Sequence, residues 1–142
     1  MAFFEDIKGF FKFDADRKRD IRDQFNLLAA AETHVLWKTR LGHHVQGSVH
    51  EEVESTSVGQ GGLCQLGSWI NSADFEFFQS FPEYELLQEA HLKFHHAGDL
   101  IVEKLQAGHR GEAAVIFKGE YNQSLRRIIQ ALTNINQHLQ ES

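Results

Sequence analysis

The chain has 142 residues, 42% hydrophobic and 24% charged, with a formal net charge of −6, which suits one folded domain with its own core. The acidic balance argues against a general nucleic-acid binder, which would carry a basic face. No apolar run approaches the roughly 18 residues a bilayer span requires and no secretory leader is visible, so a cytoplasmic location is expected.

The first thirteen residues, MAFFEDIKGFFKF, put Phe3, Phe4, Ile7, Phe10 and Phe11 on one side of a helix. That face is expected to cover the rest of the protein or a second copy of it. Docking onto a signalling partner is an alternative. Contact with a membrane surface is a weaker one, because the polar face is not basic. From Asp14, a candidate N-cap, the pattern predicts one long helix to about Val49. It carries two apolar lines: Ile21, Phe25, Leu28 and Val35, and beside them Leu27, Ala30, Trp37 and Leu41. The polar stretch ESTSVGQGG predicts a mobile loop over residues 54–62. A short helix from Leu63 to Asn71 follows, with Cys64 in its first turn.

DFEFFQSFPEY then forms an aromatic connector ending near Pro82, the one proline, which marks the start of a third helix. That helix continues to about Gln106 and stops at Gly108. A last helix is predicted from Gly111 to Leu139, where Leu125, Ile128, Leu132, Ile135 and Leu139 alternate steps of three and four. Such a seam suits a neighbouring helix or a second subunit. The expected architecture is an all-α four-helix bundle over residues 14–142, with an additional short helix carrying the cysteine, preceded by the aromatic segment 1–13.

Nine histidines and a single cysteine, Cys64, direct attention to metal chemistry. His91 and His95 are four residues apart on one helix and so lie on the same face. At the start of the short helix the dipole favours a Cys64 thiolate. A fourth ligand for a tetrahedral metal would come from the first helix, where His34, His43 and His44 are candidates. His34 is in line with Leu27, Ala30, Trp37 and Leu41 and is expected to point inward, whereas His43 and His44 lie beside the loop. His50, His96, His109 and His138 are assigned to surface or structural roles. Trp37 and Trp69 read as core aromatics, and Lys38 and Arg40 as a solvated face. Asp99, one turn beyond His95, is placed either to hydrogen-bond it or to face solvent. A redox-active iron bundle would require carboxylates near the histidines, commonly as Glu-x-x-His, and no such motif occurs. No nucleophile–base arrangement or phosphate-binding glycine motif is legible, so no catalytic residue is expected.

Three blocks, THVLWKTRL (Thr33–Leu41), CQLGSWI (Cys64–Ile70) and HLKFH (His91–His95), together resemble the chemoreceptor zinc-binding domain family, CZB. Its members show a histidine before a Trp-Lys pair, a Cys-x-x-Gly-x-Trp segment and an HxxxH, in this order. Ser68 stands where the family often has a basic residue, and Ile70 where it often has an aromatic. The resemblance implies a zinc site of three histidines and one cysteine, His34, Cys64, His91 and His95. It also implies a sensory or regulatory role without enzymatic activity, answering to zinc or to oxidants such as hypochlorous acid. The implied partners are a second copy of the chain, with the C-terminal seam and the N-terminal aromatic face as contacts, and a chemoreceptor or diguanylate cyclase. A site in which zinc only staples the fold is the structural alternative.

Overall fold

The structure, a computed structural model, describes residues 26–62, 64–72 and 82–140. The readings of the Phe-rich segment 1–13, of Asp14, Ile21 and Phe25, of Leu63 and of most of the aromatic connector lie outside these residues.

Helix α1 spans Leu27–Gln46. Asn26 has extended backbone, and its side-chain oxygen accepts from the Ala29 amide at 3.0 Å, which satisfies one of the free amides of a helix start. A single helix from Asp14 is therefore corrected to one that begins at Leu27. At the other end Gly47 adopts φ 77° and Ser48 N donates to His43 O at 2.9 Å. The left-handed conformation closes the helix at Gln46, short of Val49. Of the two apolar lines, the second faces inward: Leu27 and Leu41 are buried, whereas Leu28 and Val35 are 59% and 41% exposed.

The segment after α1 is folded down, not free. It contains a 3-10 turn at Thr56–Val58, and Val58 and Gln60 are buried. Gly59, at φ 82°, lies so close to Trp37 that a Cβ there would stand 2.2 Å from Trp37 Cδ2. Helix α2 spans Gln65–Ile70, with Cys64 as its extended N-cap residue, one position ahead of the first turn. Helix α3 spans Pro82–Gln106, and Gly108 follows it at φ 82°, as the sequence predicts.

The predicted last helix is interrupted. It consists of α4 (Arg110–Ile116), a π-helical stretch Phe117–Tyr121, and α5 (Asn122–Gln140), with Gly119 off helical geometry at φ −93°, ψ −107°. Lys38 Nζ donates to Asn122 Oδ1 at 2.7 Å across this interruption. Lys38 thus ties α1 to the start of α5 and is not part of a solvated face. Arg40 is exposed and reaches Ser57 O at 3.3 Å.

Helix α3 is central, packed against α4, the π-helical stretch and α5, while α1 lies on α5 and α4. The seam residues Leu125, Ile128, Leu132, Ile135 and Leu139 are all buried within the single chain. Of the two partners expected for this seam, a neighbouring helix or a second copy, the chain's own helices cover it here. Trp69 is a core residue beside Tyr84. Phe94 stacks on Tyr121 with ring centroids 4.5 Å apart. The architecture is all-α, with no strand among the described residues, and none of the described helices is long and apolar enough to cross a membrane.

Candidate metal centre

The burial that shapes α1 also turns His34 inward. It shares the inner line with Leu27 and Leu41, and its relative exposure is 1%. A buried imidazole needs partners for both ring nitrogens. His34 Nδ1 lies 2.7 Å from the Ala30 carbonyl one turn back. A carbonyl can only accept, so the proton is on Nδ1 and the lone pair is on Nε2. That lone pair points at Cys64 Sγ, 3.6 Å away.

Cys64 Sγ lies 3.4 Å from His91 Nε2, and His91 Nε2 lies 3.0 Å from His95 Nε2. The ligand atoms of His34, Cys64, His91 and His95 all fall within 4.8 Å of one another. A tetrahedral zinc with ordinary bond lengths sets N···N at about 3.4 Å and N···S at about 3.6 Å. The Cys64–His34, Cys64–His91 and His91–His95 separations are within a few tenths of an ångström of these. Helix α2 reaches the histidines because Gly67 carries no side chain: a Cβ there would stand 3.2 Å from His91 Cε1. The Cys-x-x-Gly spacing thus has a steric reason.

The electrostatics favour ligands over cations. Burial pushes the His34 pKa down to about 4 and that of His91 to about 3, with further lowering of both from His95. Burial also lowers His95. The three rings are accordingly neutral near pH 7, the form in which imidazole binds a metal. Trp37 covers the group, 4.8 Å edge-on from His34 and 6.0 Å from His95, and Phe94 closes the other side at 5.4 Å from His34.

All four sequence-predicted ligands come together, and the two alternatives on α1 do not. His43 is exposed and His44 half-buried, both outside the group. His50 and His96 are exposed. His109 approaches Glu112 at 3.2 Å, and His138 approaches Glu83 at 3.4 Å. The cluster contains no carboxylate, the donor that an iron bundle would require. Asp99 is exposed and does not contact His95 directly. Between them stands Gln60, 2% exposed, whose amide lies 3.3 Å from His95 Nδ1. Sequence reasoning missed Gln60; the available signal was one polar residue flanked by glycines in a loop.

The chemoreceptor zinc-binding domain family, CZB, matches residues 34–102, a stretch that begins at His34 and contains Cys64, His91 and His95. Comparison with curated proteins and with solved structures gives no match. The sequence resemblance, the family match and the converging side chains agree, and it is the chemoreceptor zinc-binding domain family that residues 34–102 of this chain resemble.

Proposed function

We propose that the protein is a zinc-responsive regulatory domain in which His34, Cys64, His91 and His95 hold one Zn2+, and that Cys64 also makes it responsive to oxidants. The observation that carries this reading is the close approach of four ligand atoms from three separate elements, with the His34 lone pair already directed by Ala30. Four protein ligands complete a tetrahedron and leave no position for a reacting water, so the role is regulatory and not hydrolytic. When bound, the metal supplies positive charge that keeps the Cys64 sulfur ionised.

Cys64 is half-buried, which leaves its sulfur within reach of a small oxidant. Hypochlorous acid and the thiolate give sulfenic acid and chloride: the sulfur loses two electrons and gains the S–O bond, and the chlorine takes those electrons as it leaves. The sulfenate is a poorer ligand. Because Cys64 opens α2, loss of its bond frees that short helix from His34 and His91. A signalling partner of the chemoreceptor or diguanylate cyclase kind, or a second copy of the chain, would sense the change, in the cytoplasm.

The test is elemental analysis of the untagged protein beside Cys64→Ala and His91→Ala. About one zinc per chain is expected in the wild type, lost in both variants, with release from the wild type by an equivalent of hypochlorous acid. Zinc retained in both variants, or iron in its place, overturns the assignment. Zinc held through full oxidation of Cys64 overturns the oxidant response alone.

A further inference from the structure

We propose that the basic depression where α3 meets the π-helical stretch and the start of α5 is a docking surface for an acidic segment, rich in Asp or Glu, of a protein partner. The surface stands without the metal reading above; its coupling to the metal centre rests on that reading.

The chain carries a formal charge of −6, so an acidic partner is drawn only to a place where cations gather. Lys93 of α3, Lys118 of the π-helical stretch and Arg126 and Arg127 of α5 line one depression of about 450 Å³, in which Glu120 is the one carboxylate among the described residues. The remaining described lysines and arginines are engaged elsewhere: Lys38 with Asn122, Arg40 with Ser57 O, Lys104 with Glu112, and Arg110 across Gly47. Lys93 pairs with Glu89 at 3.0 Å, and Arg127 acts on the same carboxylate. Lys118 and Arg126 are exposed and form no ion pair among the described residues. The backbone between them is open, since a Cβ at Gly119 would meet nothing within 4 Å. The charges come from separate elements and are not gathered around one buried point. That arrangement suits several carboxylates along a chain better than one compact anion. It also lies on a π-helical interruption, a feature that recurs at functional sites.

The floor of the depression is continuous with the metal centre. Phe94 lies 5.4 Å from the His34 ring and 5.2 Å from that of His95, and it stacks on Tyr121 at 4.5 Å. Phe94 and Tyr121 are wholly buried. Glu120 and Asn122, on either side of Tyr121 in sequence, line the depression. Lys38, one turn beyond His34, holds Asn122 at 2.7 Å, and Lys93 stands between His91 and His95 along α3. A close-packed interior transmits displacement. Drawing the four ligands onto a metal therefore moves the aromatic pair and the lining beside it, and the affinity for an acidic partner changes with metal occupancy. By linkage, the partner changes the zinc affinity by the same factor.

The experiment is fluorescence anisotropy of a labelled peptide of alternating glutamate and alanine, with glutamine for glutamate as its control. It is titrated with wild type, with the double variant Lys118→Glu, Arg126→Glu, and with the charge-matched double variant Arg40→Glu, Arg110→Glu, each checked for helical content. The glutamate peptide is expected to bind, more weakly as salt is added. The loss is expected to be on the order of 10-fold or more in the first variant, where like charges now meet, and under about threefold in the second. No binding, equal binding of the glutamine peptide, or equal losses in the two variants overturns the docking surface. Displacement of the peptide by an equal concentration of inorganic phosphate makes it a small-anion site and overturns the peptide assignment. Self-association of the wild type that the first variant abolishes makes a second copy the occupant and also overturns it. The coupling is read by comparing zinc-loaded with metal-free wild type: peptide affinity is expected to differ by about threefold or more, with the zinc affinity from chelator competition shifted by the same factor when peptide is present. Equal affinities in a protein that binds zinc overturn the coupling. Wild-type protein that takes up no zinc overturns the metal reading and the coupling with it, while the charge variants still decide the docking surface.

Discussion

At the scale of single residues, the cluster depends on atoms that the fold itself aims at one another. His34 is directed by a backbone carbonyl of its own helix, Cys64 by the extended backbone ahead of α2, and His91 by the missing side chain of Gly67. Gly98 makes the strongest single-residue prediction. Gly98→Ala forces a methyl group onto the Gln60 amide and is expected to cost about 1–3 kcal/mol by overpacking. In a Gln60→Ala background the same change is expected to be neutral or mildly stabilising, since alanine is the better helix former. Urea unfolding of the four proteins in this cycle measures the coupling; additive effects would show that the two residues do not compete for the space. The four side chains that converge were named from the sequence through the family resemblance, because spacing alone left His34, His43 and His44 as alternatives on the first helix. Gln60 was not, because a glutamine in a polar loop looks like solvent-facing chain until Gly98 is seen opposite it. Asp99 was legible by register alone, and register did not reveal that an amide stands between it and His95.

At the scale of elements, helix periodicity located the helices and gave α1 two apolar lines, of which one is buried. Two apolar lines run along α1, and nothing in their composition ranks them. The inner line is the one that contains His34, so the polar residue within it, not the apolar residues, was the informative position. The helix start was also misplaced, because the apolar pattern continues through Asn26 while the backbone does not. Asn26→Ala is expected to cost about 1 kcal/mol through loss of the cap to Ala29, read as a lower urea midpoint with unchanged slope. The seam on α5 was legible as a seam but not as to its partner, since alternating steps of three and four specify a packed stripe and do not say whose helix covers it. Ile135 is wholly buried there within the single chain. Ile135→Ala is expected to destabilise by about 2–5 kcal/mol at every protein concentration. A cost that varied with concentration would return the seam to a subunit contact.

At the scale of the whole molecule, two buried neutral histidines, His34 and His91, make the fold sensitive to acid. In the unfolded chain His34 and His91 take up protons near the ordinary value of 6.5, whereas in the folded chain burial holds them at about 4 and about 3. Between those limits the unfolded state binds more protons, so the metal-free protein loses stability as pH falls from about 6.5, toward about 4 for the His34 contribution and on toward about 3 for that of His91. Thermal unfolding in the presence of a chelator from pH 7.5 to 4.5 measures the slope. Histidine-to-glutamine changes at both positions are expected to flatten it. Zinc added at neutral pH is expected to raise the melting temperature in proportion to the logarithm of its free concentration above the dissociation constant.

Helix α2 has only six residues, too few to persist unaided, and Cys64 attaches its leading end to two helices distant in sequence. Its amides report on that attachment. Without metal, the short helix is expected to exchange its amide hydrogens with deuterated solvent through local opening, well ahead of α3 and α5. With the sulfur ligated, opening α2 requires breaking the bond that gathers α1 and α3 as well, and its exchange should slow toward the rate of the slowest helices. The smallest helix in the bundle would then be the segment whose protection changes most between the two states, and the surface around it the place where a partner could distinguish them.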